Sequence, residues 1–271
     1  MNWRVVSAVT RKDLVEVLGN KMAWMPALVL PLILAGFLPA ALIAVATYAP
    51  ISGQDMMRDL NAMGLFSVLK ADLSGLDLRQ TWIVLMVGHF FAPLFLMLPL
   101  MTATIVGADS FVGERERKTL EPLIYAPATD TELLTGKVLA SFLPSLVLTW
   151  GAFLLYVLVA NGVGWRAMGH LWFPLPNWYP LVFWITPALS LLGTAAAVLV
   201  STRAKTFMEA YQSSGIVVLL PLAFLAGQAT GVMYLAPIVG MLAGLVVWVL
   251  AVLLMRLAVR TFRRSELIAR V

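Results

Sequence analysis

The sequence predicts an all-α integral membrane protein with six transmembrane helices. Three observations predict it. Hydrophobic residues make up 61% of the 271 residues and charged residues only 12%, against roughly 45–50% and about 25% in soluble domains. Six stretches reach the roughly 20 apolar residues needed to cross about 30 Å of hydrocarbon. Fifteen of the nineteen lysines and arginines fall on one side of those stretches. Together with a mean hydropathy of +0.90, this composition excludes a disordered chain and argues against a soluble enzyme. With no cysteine, a disulfide framework, a thiolate metal site and a cysteine nucleophile are all excluded.

The expected spans are about 22–48, 81–108, 138–160, 180–200, 211–228 and 232–256. The first follows a charged segment and lacks a small-residue cleavage site, so it reads as an anchor and not a signal peptide. The fifth is the shortest. It is separated from the sixth only by the weak polar break Gln228–Gly231, which reads either as a tight turn or as a re-entrant element. An even number of spans puts both termini on one side. Arg58, Lys70, Arg79 and Arg166 fall on the other side, and the remaining fifteen basic residues share the side of the termini. That bias places the termini in the cytoplasm of a multi-pass protein of the cell (inner, cytoplasmic) membrane. The net charge of +5 therefore reports topology, and nucleic acid is not the expected partner.

The loops are short, so residues 1–271 form a single transmembrane domain. Residues 49–80 carry charges of both signs and a short helix is expected near 55–69. Residues 161–179 hold Trp165, Trp172, Trp178 and Tyr179, which suits a loop lying at the headgroup level. Arg11–Met22 reads as an amphipathic N-terminal helix. Leu14, Val15, Leu18 and Met22 lie on one face, and Lys12, Asp13, Glu16 and Asn20 on the other. Nearly every span contains proline, which removes a backbone donor and can bend its helix.

Chemistry is scarce inside the spans. His89 is the main ionisable group there, with no second histidine or carboxylate beside it to form a proton relay. There is no HExxH, no deep acidic pair and no sensibly placed Ser-His-Asp set. Gly136-Lys137 is followed by Val138 and lacks the upstream glycine, so there is no Walker phosphate loop. No span shows a polar stripe that marks a path. His89, Thr102, Thr104, Asp109 and Gln228 are the candidate lining residues.

The most informative segment is the cytoplasmic loop 109–137, with six acidic and four basic residues. Gly113-Glu114-Arg115-Glu116-Arg117 reads as a charged helical end to the second span. Pro122 and Pro127 mark breaks. Leu120, Leu123, Ile124 and Tyr125 form a short apolar patch ringed by charge. Thr129-x-x-Glu132 fits a capping box for a helix that runs through Leu133, Leu134 and Lys137 into the third span.

This loop resembles that of the type-2 permeases of ATP-binding-cassette (ABC) transporters. The resemblance rests on Glu114, Arg115, Glu116, Thr119, Leu120, Glu121 and Leu123, then Pro127, then Leu133, Gly136 and Lys137. The amphipathic N-terminal helix and the loop 201–212 are of the same kind. The resemblance implies a permease subunit of an exporter, which pairs with a second permease copy (a homodimer or a heterodimer with a paralogue). It implies cytoplasmic ATPase subunits that carry ATP and Mg, so that this chain binds no cofactor and is not itself an enzyme. It assigns the coupling helix to Thr119, Leu120, Glu121, Leu123, Ile124 and Tyr125, braced by Glu114, Arg115, Glu116 and Arg117. Two other classes compete: a membrane-embedded enzyme acting on lipid, which needs an acidic or histidine cluster at the interface, and a non-transporting anchor or sensor that recruits an ATPase.

Overall fold

The computed structural model describes residues 1–49, 52–70, 73–117, 128–232, 234 and 236–261. Among them every regular element is helical: α1 (Trp3–Gly19), α2 (Lys21–Tyr48), α3 (Gly53–Ala62), α4 (Gly64–Leu69), α5 (Leu78–Gly113), α6 (Asp130–Met168), α7 (Trp178–Ser201), α8 (Phe207–Ala229) and α9 (Pro237–Thr261). A last turn, Glu114–Glu116, continues α5. Six of these helices, α2 and α5 to α9, are long and apolar enough to cross a membrane. The coupling residues Thr119, Leu120, Glu121, Leu123, Ile124 and Tyr125 lie outside the described residues.

The bundle is centred on α5 and α7, whose apolar stretches are 83% and 78% buried, against 17–33% for the other four. Small residues let these two helices touch. A Cβ on Gly107 would lie 2.6 Å from the Ala197 Cβ, and one on Gly193 would lie 3.0 Å from both the Ala103 Cβ and the Leu100 carbonyl oxygen. Each helix thus presents a small-x-x-x-small pair to the other, Ala103 with Gly107 and Gly193 with Ala197. That close approach is how helices associate where water supplies no hydrophobic drive. Ser145 and Ser190 add a buried hydroxyl pair at 2.7 Å between α6 and α7.

Proline shapes α2, α5 and α7 by widening them. Leu32–Phe37, Val84–Phe90 and Leu181–Ile185 are π-helical, and Pro39, Pro93 and Pro187 follow each in turn. A proline cannot donate to the carbonyl four residues back and its ring crowds it, so the turn before it opens. Other side chains take up carbonyls of the widened turns. The Tyr156 hydroxyl donates to the Val87 oxygen at 2.7 Å, and the Trp178 indole donates to the Gly88 oxygen at 2.7 Å.

Several boundaries differ from the sequence expectation for physical reasons. α6 continues past Ala160 because Asn161, which reads as loop, is satisfied inside the helix. Its amide donates to the Phe173 oxygen at 2.7 Å and accepts from the Trp172 and Phe173 backbone at 3.0 and 3.2 Å. The helix stops at Gly169, with φ +71°. Trp172 and Trp178 are buried, at 8% and 0% exposure, and so do not lie at a headgroup surface; Trp165 and Tyr179 remain exposed. Trp178 packs instead among Phe95, Phe153, Tyr156 and Phe173. After α8 the chain turns at Gly231, φ +72°, hard against α4: a Cβ on Gly64 would lie 2.3 Å from the Thr230 carbonyl.

α1 begins at Trp3, eight residues before the expected start. Val6, Thr10, Asp13 and Val17 are turned inward, while Val15, Leu18 and the following Met22 are more than 60% exposed. The inward face thus mixes valines with Thr10 and Asp13, and part of the expected apolar face points away from the protein.

Replacing Gly107 with Leu overpacks the α5–α7 contact, which should cost about 1–3 kcal/mol. Thermal unfolding in detergent should show a clearly lowered midpoint. Gly151→Leu, at a site with no neighbour within 4 Å of a new Cβ, should leave it unchanged.

Candidate functional site

The end of the bundle that carries the described chain termini holds a buried ionic cluster. Its members come from three elements that the sequence does not place together: α1, the end of α5 and the start of α6. Lys137 is 3% exposed and its ammonium donates to Asp13 Oδ2 at 3.2 Å, to Glu114 Oε2 at 2.7 Å and to the Ser110 carbonyl at 2.5 Å. Lys12 pairs with the other oxygen of Glu114 and, at 3.1 Å, with Asp13 Oδ1. The Ser110 hydroxyl donates to Asp13 Oδ2. Two lysines and two carboxylates therefore form a neutral quartet, with Glu16 3.2 Å from Lys12 at its margin.

Gly136 is what admits this arrangement. A Cβ there would lie 2.7 Å from Val9 Cγ1 and 3.2 Å from the Val6 carbonyl oxygen. The bare backbone instead lets α1 lie against α6, and the Thr10 hydroxyl donates to the Gly136 oxygen at 3.1 Å. The next residue, Lys137, then reaches the carboxylates. Gly113 plays a matching part in α5. Its missing side chain leaves room for Arg117 to reach back to Asp109 at 2.8 Å, where a Cβ would meet Asp109 Oδ1 at 2.5 Å. Asn20 also donates to Asp109 Oδ1, at 2.7 Å, tying the α1–α2 corner to the same group.

The electrostatics are mutually reinforcing. Burial pushes the Asp13 carboxyl up, but Lys137 and Lys12 outweigh burial and hold it below the usual carboxylate range. Burial lowers Lys12, and Asp13 and Glu114 outweigh that and hold it above the usual range. Burial likewise lowers the Arg117 guanidinium, and Asp109 more than restores it. The stability tied to Asp13 is therefore complete above its ordinary pKa of 3.8 and is lost as pH falls through the depressed value. That tied to Lys12 is complete below 10.5 and is lost only as pH rises through the raised value. Asp13 and Lys12 thus both stay charged throughout the physiological range.

The carboxylates of Asp13, Glu16 and Glu114 come within 4.8 Å of one another, near enough to hold a cation. The ammonium groups of Lys12 and Lys137 already fill that role, so these acids are committed to ion pairs. They are the only acidic cluster of this kind among the described residues.

The described brace residues are joined to this cluster or to its neighbours. Glu114 is its central acceptor. Glu116 accepts the backbone N–H of Phe207 at 2.8 Å and so ties the start of the loop to the start of α8. Arg117 is held by Asp109, and Arg115 lies in the last turn of α5. On the far side of the loop, the capping box of Thr129 and Glu132 starts α6, and Glu132 also accepts the backbone N–H of Asn2 at 2.5 Å. Both ends of the loop are thus anchored on helices.

The candidate lining residues sit in separate parts of the fold. Asp109 belongs to the ionic end. Thr104 bonds back to Leu100 and Met101 at 3.0 Å within its own helix, and Thr102 is 2% exposed. Gln228 is fully buried, with neither amide atom hydrogen-bonded. His89 is buried at the opposite end, its Nδ1 3.2 Å from the Val84 carbonyl and its ring 5.7 Å from that of Tyr234. Sequence reasoning missed Asp13 and Lys137 as a pair. The available signal was a lysine set just inside an apolar span, a position that calls for a buried counter-charge.

Replacing Lys137 with Met leaves Asp13 and Glu114 buried beside a single half-exposed lysine. Loss of one partner from a buried pair costs about 3–5 kcal/mol, so thermal unfolding in detergent should show a large loss of stability. The exposed Lys205→Met should shift it by no more than about 0.5 kcal/mol.

Compared with known proteins, residues 7–257 match the family model described as ABC-2 family transporter protein. Neither the curated protein sequences nor the solved structures compared with the chain give a match. The family match covers nearly the whole chain, including α1, the ionic cluster and all but the last turn of α9. The chain therefore belongs to the ABC-2 transporter family, as a permease-type, multi-pass membrane component with six membrane-capable helices.

Proposed function

We propose that the chain is the membrane subunit of an ABC exporter, that it works as a dimer, and that separate cytoplasmic subunits drive it by hydrolysing ATP with Mg. The observation that carries this reading is the ionic cluster. It joins α1, α5 and α6 at the root of the loop whose residues resemble the coupling segment of type-2 permeases. A force applied to that loop reaches three helices at once, because Glu114 and Lys137 are paired across its two ends. Glu116 extends the connection to α8 through Phe207.

In this reading Thr119, Leu120, Glu121, Leu123, Ile124 and Tyr125 dock on the ATPase. Glu114, Arg115, Glu116 and Arg117 brace them. ATP-bound and nucleotide-free ATPase dimers then favour different arrangements of the permease, and the population shifts between them. The fifteen basic residues on the side of the termini support a cytoplasmic placement of this end. The partner copy is a second identical chain or a paralogue, and the outward apolar faces of α2, α8 and α9 supply the surface for it and for lipid.

The test uses the permease co-expressed with its ATPase subunit in membranes. Glu121→Arg, or Leu120→Asp together with Leu123→Asp, should abolish ATPase stimulation by the permease and loosen co-purification. The permease should keep its thermal unfolding midpoint. Unchanged stimulation in both variants would overturn the assignment.

A further inference from the structure

The end of the bundle opposite the ionic cluster contains a cavity of about 670 Å³ that the coupling reading does not use. It is walled by four separate stretches of chain: Leu69 at the end of α4 with Leu73, Gly75 and Leu76 after it, Val84 and His89 of α5, the connection from Met168 to Asn177, and Tyr234 with Pro237 at the start of α9. Its volume lies in the range of small-molecule sites, roughly 300–1,000 Å³.

Three properties define what it can hold. First, His89 and His170 are the only ionisable side chains apart from tyrosine among the described lining residues, and the walls are mainly leucine, proline and aromatic side chains. A charged ligand would meet no carboxylate, ammonium or guanidinium among those residues to offset its desolvation. Second, one polar group is left over. Asn177 is 3% exposed; its amide nitrogen donates to the Gly88 carbonyl at 3.3 Å, but its Oδ1 has no partner among the described residues. An acceptor buried in this way calls for an N–H or O–H from something else. Third, the wall is preformed. The widened turn Val84–Phe90 presents the Gly88 carbonyl to both Asn177 and the Trp178 indole, and Leu175 packs where a Gly88 Cβ would stand, 2.4 Å away. Widened π turns of this kind recur at functional sites.

We propose that this cavity binds a neutral, mostly apolar small molecule that donates one hydrogen bond to Asn177 Oδ1. Leu69, Leu73, Leu175 and Trp172 contact its apolar body. The site lies within a single chain and is independent of the ATPase-coupling assignment, so either can fail without the other.

The experiment uses the full chain in lipid nanodiscs and two photoreactive probes of nearly equal size. These are 4-(hydroxymethyl)benzophenone, which carries one O–H donor, and benzophenone, which carries none. Labelled peptides are mapped by mass spectrometry. The donor-bearing probe should label the segments around Leu69–Leu76 and Met168–Asn177 about fivefold more than benzophenone, the worth of one hydrogen bond. Asn177→Leu should erase the difference between the probes and leave labelling of the outward face of α6 at Leu154 and Leu158 unchanged. Equal labelling of the cavity segments by the two probes in the unaltered chain, or a difference that survives Asn177→Leu, overturns the proposal.

Discussion

The position of Lys137 between Asp13 and Glu114 governs how one end of this protein is put together. A lysine at 3% exposure is tolerable only with opposite charge beside it, and here the two carboxylates come from α1 and α5 while the lysine comes from α6. The need to neutralise one ammonium therefore fixes where three helices meet. Lys12 completes the quartet and keeps it neutral. Gly136 is a consequence of the same constraint, because α1 must lie close enough to α6 for Asp13 to reach Lys137. The Gly-Lys pair that marks the family resemblance thus acquires a physical meaning: the glycine gives access and the lysine gives the bond.

The rest of the fold follows the logic of a protein whose surroundings are as apolar as its core. Helix contacts rely on small residues and buried hydroxyls, as between α5 and α7, since packing leucine on leucine gains little over lipid. Polar groups turn inward, as α1 shows with Asp13 and Thr10. Proline widens helices, and the exposed carbonyls are taken up by Tyr156, Trp178 and Asn177. The ionic end and the cavity end use opposite chemistries. One is densely charged, with its lysines held in ion pairs; the other is apolar and leaves the Asn177 Oδ1 without a partner among the described residues.

Much of this was legible in the sequence. The six long helices follow from continuous apolar runs, and the start of α6 from the Thr129–Glu132 capping box, because both signals are local. The inward face of α1 was not legible. The period separates Leu14, Val15 and Leu18 from Lys12, Asp13 and Glu16, but it does not say that Asp13 meets the protein while Val15 and Leu18 face out. Lys137 counted toward the cytoplasmic charge bias, which conceals a buried ion pair as readily as a solvated residue. Trp172 and Trp178 read as a surface belt because aromatic residues serve both interfaces and cores. Asn161 read as loop because its partners, Trp172 and Phe173, come from the segment that folds back on it. Each miss concerns a long-range partner. The proposed coupling segment rests on resemblance and on its mixed charge, and not on any local period.

The account stands on the claim that Lys137 and Glu114 are energetically coupled across the base of the loop. A double-mutant cycle of Lys137→Met and Glu114→Gln, read by unfolding free energy in detergent, tests this most directly. If the two groups are paired as described, the double variant should be less destabilised than the sum of the single variants by about 1–3 kcal/mol. Additive effects, within about 0.5 kcal/mol, would show that the two residues do not act together and would contradict the account.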